Sequence, residues 1–282
     1  MLSIPPLVER LCSLLEENER LHVIAESGLD FGGMDCKVVP AGDHAANRAF
    51  MAEVKADLVH RFIAGGSPYR GIKQVFSPLD IFNVASLSGR FFTPGFFRYR
   101  RARKNLCNGA FVFLPSQSSM EMSASLLSDK SHSRSMVLFP AQPAGFVPQS
   151  EPALDAVRER FDLPERFFLA IDRTDDDSSL NTLLAAYGAL DQTASLPLVI
   201  AGADKGRAKL PEGATYLLID SSSTLAQLIC ASYVFLFPEI GSDFPYPLLW
   251  AMGCGIPVVA AATRQVREVA SSEVKLVHPT DR

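Results

Sequence analysis

Twelve short apolar runs, spaced along the whole chain and separated by helical patterns, limit the fold more than any other feature of this sequence. In the first half they read at 21–25, 36–39, 58–63, 72–76, 110–114 and 136–139. In the second half they read at 167–171, 198–201, 216–219, 234–237, 256–260 and 274–277. They are rich in Val, Ile, Leu and Phe and do not alternate apolar with polar. That is the pattern of strands covered on both faces, as in parallel sheets flanked by helices. The helical stretches open at Pro5 and Pro6, with Leu7, Leu11, Leu14 and Leu15 at helical spacing, and recur near 44–55, 180–190, 224–231, 247–252 and 266–270. Repeated β–α alternation predicts an α/β protein made of Rossmann-like units.

The chain has 282 residues, natural for two domains at about 150 residues each. Prolines at 140, 143, 148 and 152 mark a linker. Domains are therefore expected over 1–148 and 149–282. Charge divides the same way: residues 1–150 carry 16 basic and 13 acidic side chains, and residues 151–282 carry 11 and 18.

The formal net charge of −4 argues against a nucleic-acid partner. Five cysteines, without a C-x-x-C pair or a histidine cluster, fit a reduced compartment and neither a disulfide scaffold nor a metal site. No signal-peptide pattern and no run of about 18 apolar residues is present, so a cytoplasmic location is expected.

Open parallel sheets bind ligands at the carboxyl ends of their strands, and three such places stand out. Arg173 follows the run 167–171, where a guanidinium suits a diphosphate; its plainer role is to neutralise Asp175–Asp177. Gly202 ends the run at 198–201, where a missing Cβ lets a ligand approach or simply serves a turn. The third is Phe237-Pro-Glu-Ile-Gly241-Ser242-Asp243-Phe244-Pro-Tyr-Pro-Leu-Leu-Trp250-Ala-Met-Gly-Cys-Gly255-Ile-Pro-Val-Val259. It reads as strand, loop, helix, tight turn and strand, with a helix N-terminus able to face an anion.

This segment resembles the retaining GT-B glycosyltransferases of the family 4, group 1 type. Pro238, Phe244, Pro245, Leu249, Ala251, Met252, Gly255, Pro257, Val258 and Val259 fit the family's motif, and Glu268-Val269 matches the pair that follows it. Phe167–Leu190 resembles its strand, arginine and helix, and Leu196–Gly202 its next strand. In the first half, Ala56–His60, Ala110–Ser116 and Val137–Pro148 resemble further family segments. The resemblance implies two Rossmann-like domains across a cleft, the first of them lacking its opening strand. It implies a nucleotide-sugar donor, no cofactor and no metal.

Carried over residue by residue, Arg173 would hold the diphosphate, while Gly202, Gly241 and Phe244 would lie near the donor. The sequence departs from the family at several of these positions. The family's two acidic residues, eight apart, fall on Ser242 and Trp250; Asp243 stands one place later. Its diphosphate lysine falls on Ser178, and the histidine expected near Ser77-Pro78 is absent. Ser242 and Asp243 are thus the candidates beside the transferred sugar, and Ser178 and Trp250 occupy donor positions. His60 ends a strand and is a candidate for the cleft, or a structural histidine.

Between Ile81 and Met120 there is no acidic residue. Arg90, Arg98, Arg100, Arg101, Arg103 and Lys104 interleave with Phe91, Phe92, Phe96, Phe97 and Tyr99. Residues 90–104 are a peripheral contact with anionic lipid at the inner face of a membrane, a partner surface, or a helix with its aromatics in the core and its arginines solvated. The leading expectation is transfer of a sugar from a nucleotide-sugar to a lipid-linked or glycan acceptor with retention, its activity weak or lost. The alternative is a non-catalytic module of the same fold that binds a partner protein, glycan or membrane surface.

Overall fold

The computed structural model of the protein describes residues 23–25, 36–38, 44–62, 64–65, 71–79, 81–88, 93–172, 177–191, 195–202, 209–219 and 221–279. The helix expected at Pro5 lies outside them. The chain forms two compact units, Met1–Pro140 and Ala141–Arg282. Residues 141–148, expected to close the first domain, belong here to the second. Phe146 is the reason: it is buried in the second unit's core and stacks on Trp250 at 4.7 Å between ring centroids.

In the first unit, β1 (Val23–Ala25) and β2 (Cys36–Val38) pair in parallel. A separate parallel sheet follows, in the order β3 (Leu58–Arg61), β4 (Lys73–Phe76), β5 (Phe111–Leu114) and β6 (Ser135–Val137). One face of this sheet supplies Phe76, Val112 and Leu114 to a core shared with Ile81, Ala102, Leu106 and Leu126. The other face carries Leu58, Phe111 and Met136, each about half exposed (51–53%).

The helix Pro94–Asn108 has an unambiguous start: Thr93 Oγ1 accepts from the Phe96 amide at 3.3 Å, and proline opens the first turn. Ala102, Asn105 and Leu106 turn inward, and the Tyr99 hydroxyl donates to the Ser125 carbonyl at 2.7 Å. Phe97, Arg100, Arg101 and Lys104 share the opposite, exposed face, flanked by Arg98 and Arg103. So Tyr99 enters the protein side of the helix while Phe97, 59% exposed, does not. Arg90, Phe91 and Phe92 lie outside the described residues.

The second unit holds a six-stranded parallel sheet in the order β12-β11-β10-β7-β8-β9. The strands are β7 (Phe168–Ile171), β8 (Leu198–Gly202), β9 (Ala214–Leu218), β10 (Val234–Phe237), β11 (Val258–Ala261) and β12 (Lys275–Val277). In chain order this is 3-2-1-4-5-6 read from one edge, the doubly wound Rossmann arrangement. Ala170, Leu198 and Ile200 meet Leu180, Leu184 and Tyr187 of the helix Asp177–Gly188. Leu169, Val199 and Phe235 point the other way, into a core with the helices Glu151–Arg160, Ser222–Ala231, Tyr246–Gly253 and Arg264–Val269. Every residue of β8 is buried, as the non-alternating runs predict.

The helix Glu151–Arg160 sits where the prolines suggested only a linker. Pro152 occupies its first turn, where a missing N–H costs nothing. Glu151 and the pair Arg158 and Arg160 complement the two ends of its dipole.

Candidate functional site

In a 3-2-1-4-5-6 sheet the crevice for ligands opens at the carboxyl ends of the strands where the winding reverses. Here that point lies between β7 and β10, which are direct neighbours. β7 delivers Asp172 to it, and β10 delivers the loop 238–245.

The loop after β10 is tightly held. Glu239, Ser242, Asp243 and Phe244 are all buried, while Ile240 is half exposed. The Ile240 amide donates to Ser179 Oγ at 3.4 Å, tying the loop to the first turn of the helix that follows β7. The Phe244 ring meets Tyr246 edge-on at 4.9 Å. Burial, helped by the negative charge of Asp243, pushes the Tyr246 phenol up to about 12. Ser242 and Asp243, read from sequence as candidates beside the sugar, therefore lie in the packed loop beyond β10, with Asp243 placed next to Tyr246.

The turn after the helix Tyr246–Gly253 uses its glycines for two different reasons. A Cβ on Gly253 would run into the side chain of Gln142, whose amide donates to the Phe146 carbonyl. Gly255 has φ +75°, the left-handed region that favours glycine. Trp250, which stands where the family has its second acidic residue, lies inside the core on Phe146. Its Nε1 is buried without a hydrogen-bond partner.

Gly202 ends β8, and a Cβ there would collide with the Tyr216 phenol and crowd Asp172. Tyr216 rises from β9, crosses above Gly202 and donates to Asp172 Oδ2 at 2.8 Å. This contact joins three adjacent strands at their carboxyl edge and was not foreseen from sequence. Its one local signal was the glycine that makes room for it. Arg173 lies outside the described residues, as does the side chain of Ser178.

In the first unit, His60 stands at the end of β3. Its Nε2 lies 2.7 Å from Ser77 Oγ, at the end of neighbouring β4, and its ring is 4.7 Å from that of Phe62. Partial burial beneath its neighbours holds the imidazole pKa below its usual value, although one edge still meets solvent. The histidine missing at Ser77-Pro78 thus has an imidazole beside it, supplied from the adjacent strand. Among the described residues, no three His, Cys, Asp or Glu side chains converge to hold a metal ion. No described helix is long and apolar enough to cross a membrane.

Residues 166–282 match the family model described as Glycosyl transferases group 1, and this stretch contains the whole six-stranded sheet. No curated protein matches the chain by sequence. Among solved structures, it resembles Anabaena Alr3699/HepE in complex with UDP-glucose at 16% identity and TM-score 0.67, over 88% of this chain and 73% of the other. It resembles WaaG, a glycosyltransferase involved in lipopolysaccharide biosynthesis, at 15% identity and TM-score 0.73, over 92% and 76%. It also resembles a sucrose-phosphate synthase from Thermosynechococcus elongatus at 17% identity and TM-score 0.65, over 87% and 68%. The fold is α/β with parallel sheets and matches GT-B glycosyltransferase structures.

Proposed function

We propose that the protein is a glycosyltransferase of the GT-B type, moving a sugar from a nucleotide-sugar to an acceptor hydroxyl with retention at the anomeric carbon. The observation that carries this reading is a coincidence of place. The group 1 family match spans the unit whose strand order opens a ligand crevice, and the motif-bearing loop 238–245 lies at that crevice. The second unit is then the donor side and the first the acceptor side. As the bond from the anomeric carbon to the diphosphate breaks, negative charge grows on the leaving diphosphate. Arg173 would take that charge, with Gly241 and Phe244 lining the approach and Ser242 or Asp243 beside the sugar. His60 stands at a strand end on the acceptor side. The reading calls for no divalent cation or cofactor.

The test is a calorimetric titration with UDP, GDP, ADP and their sugar conjugates, repeated on Arg173→Ala. UDP comes first because Alr3699/HepE was crystallised with UDP-glucose. Binding of one nucleotide, lost in the variant, supports the donor site; no binding at millimolar ligand sinks it. The second reading, a non-catalytic module, is favoured by Trp250, whose ring is committed to the core, and by serine in place of the family's lysine at 178. Nucleotide binding without transfer to any acceptor in a glycan and lipid-linked panel would select it.

The exposed face of the helix Pro94–Asn108 supports a further part of the proposal, contact with an anionic membrane surface from the cytoplasmic side. Phe97 stands out from it among Arg98, Arg100, Arg101, Arg103 and Lys104. Co-sedimentation with vesicles containing anionic lipid is expected to fall about fivefold for each cation removed. Equal binding to neutral vesicles would count against it.

A further inference from the structure

We propose that Cys230 and Cys254 form a reversible oxidation site, at which hydrogen peroxide joins the two sulfurs and closes a staple around the motif-bearing segment of the second unit. Both thiols are free, and both belong to that unit's core. Cys230 lies in the last turn of the helix Ser222–Ala231, and Cys254 caps the end of the helix Tyr246–Gly253. Between them the chain runs through β10, the loop 238–245 and the helix Tyr246–Gly253.

The pair differs from a merely packed thiol in its contact, its polarity and its cover. The two thiols hydrogen-bond to each other. Cys107, in the first unit, shows the contrast: its sulfur donates to the Leu126 carbonyl at 3.5 Å and accepts from the Ser131 hydroxyl at 3.7 Å. The S–H of Cys254 favours the thiolate of Cys230. Burial opposes this and the Gln149 amide assists it, and the balance holds Cys230 below the usual thiol range. The same contact, together with burial, pushes Cys254 up. Cys230 is therefore the sulfur that attacks and Cys254 the one that resolves.

The two residues are only 8% and 4% exposed, and a thiol deep in apolar surroundings is inert. Cys230, however, lies against a surface stretch: its Sγ donates to the Val147 carbonyl at 3.3 Å, and Gly145, Val147 and Pro148 are exposed. Local opening of that stretch admits a small oxidant. The Cys230 thiolate attacks one peroxide oxygen, the O–O bond breaks, and Cys230 becomes a sulfenic acid as hydroxide leaves with the proton that the thiol gave up. The Cys254 sulfur then attacks the Cys230 sulfur, and its proton departs with the sulfenic hydroxyl as water. Two thiols are oxidised to one disulfide, and one peroxide is reduced to two waters. The sulfurs must close to about 2.05 Å, and the chain beside Cys254 has room for this, because nothing lies within 4 Å of a Cβ placed on Gly255. Once oxidised, Cys230 has no S–H to give the Val147 carbonyl. The stretch that carries Phe146 onto Trp250 then loses one of its ties. Persistent disulfides belong to oxidising compartments, whereas those that form in reducing ones are typically transient and redox-sensing.

The experiment treats the whole folded chain with hydrogen peroxide and maps its peptides by mass spectrometry. The expected product joins the peptides of Cys230 and Cys254 with two hydrogens fewer, and dithiothreitol reverses it. Cys254→Ala should leave a sulfenic acid on Cys230 that dimedone traps, and Cys230→Ala should leave Cys254 unmodified. Circular dichroism checks that each variant is folded, and the wild-type map decides by itself if one is not. Chymotrypsin cleavage after Phe146 should quicken about threefold in the oxidised wild type, the worth of one weak hydrogen bond, and stay unchanged in both peroxide-treated variants. Peroxide that leaves both thiols intact overturns the proposal, as does a disulfide that recruits Cys107 or one that forms only in denaturant. A disulfide with unchanged cleavage overturns the release of the stretch around Val147.

Discussion

β5 and β10 are both four-residue parallel strands of Phe, Val and Leu, and they meet different fates. In β10, Phe235 and Phe237 are both buried, and Leu236 packs into the core on the opposite face. In β5, Val112 and Leu114 are buried but Phe111 is 52% exposed, with Phe113 stacked beside it at 6.4 Å. Local composition is the same; the difference lies in what covers the sheet. Helices close both faces of the six-stranded sheet, so its residues gain from burial in either direction. The four-stranded sheet is closed by helices on the face of Phe76, Val112 and Leu114, while Leu58, Phe111 and Met136 keep half their surface in water. An apolar run thus states that a strand can be buried twice, and only the surrounding topology decides whether it is.

The sharpest way to break this contrast is to truncate matched phenylalanines. Phe235→Ala should destabilise the second unit by about 3–5 kcal/mol, and Phe111→Ala should destabilise the first by about 1 kcal/mol. Denaturant unfolding resolved for each unit would read both, and equal costs would show that the open face is covered in solution. A second matched pair uses glycine. Gly202→Ala forces a methyl group into Tyr216 and should cost about 1–3 kcal/mol. Gly65→Ala meets nothing within 4 Å and should be within about 0.5 kcal/mol of neutral.

The two units should also respond to opposite ends of the pH scale. Tyr246 keeps its proton in the folded state up to about 12, against about 10 when unfolded. Between those values the unfolded chain holds fewer protons, so stability is full below pH 10 and falls as pH rises toward 12. The slope should be about 1 kcal/mol per pH unit, and Tyr246→Phe should remove it. His60 acts in the other direction. Its lowered pKa makes the first unit lose stability as pH falls below about 6.5, because the unfolded chain then takes up the proton more readily.

A small effect is expected at Trp250. Trp250→Phe keeps an aromatic ring on Phe146 and removes a buried N–H that has no partner. It should be neutral or stabilise the second unit by up to about 1 kcal/mol. A large loss of stability would mean that the indole nitrogen is satisfied in solution.

Sequence patterns carried the strands of the second unit to within two residues, because parallel strands buried on both faces announce themselves by unbroken apolar runs. They carried the loop 238–245 as well, through its prolines, glycines and aromatics. They failed at Glu151–Arg160, where proline was read as a break although it stood at the one place in a helix that tolerates it. They also failed at Asp172 and Tyr216, which lie 44 residues apart. No local period reports that β9 will lie two strands from β7. Gly202 was the visible trace of that contact, and it admits a neighbour's side chain where the sequence suggested a turn or a ligand.

The placement of residues 141–148 with the second unit has a consequence for how such a protein could be cut and recombined. A chimaera joined at Pro140–Ala141 would carry Gln142 and Phe146 along with Gly253 and Trp250, and transplant a sealed module. A junction eight residues later, at Pro148–Gln149, would strip the cover from Trp250 and leave a slot beside Gly253. The natural seam is therefore the first proline of the stretch and not the last residue of the linker.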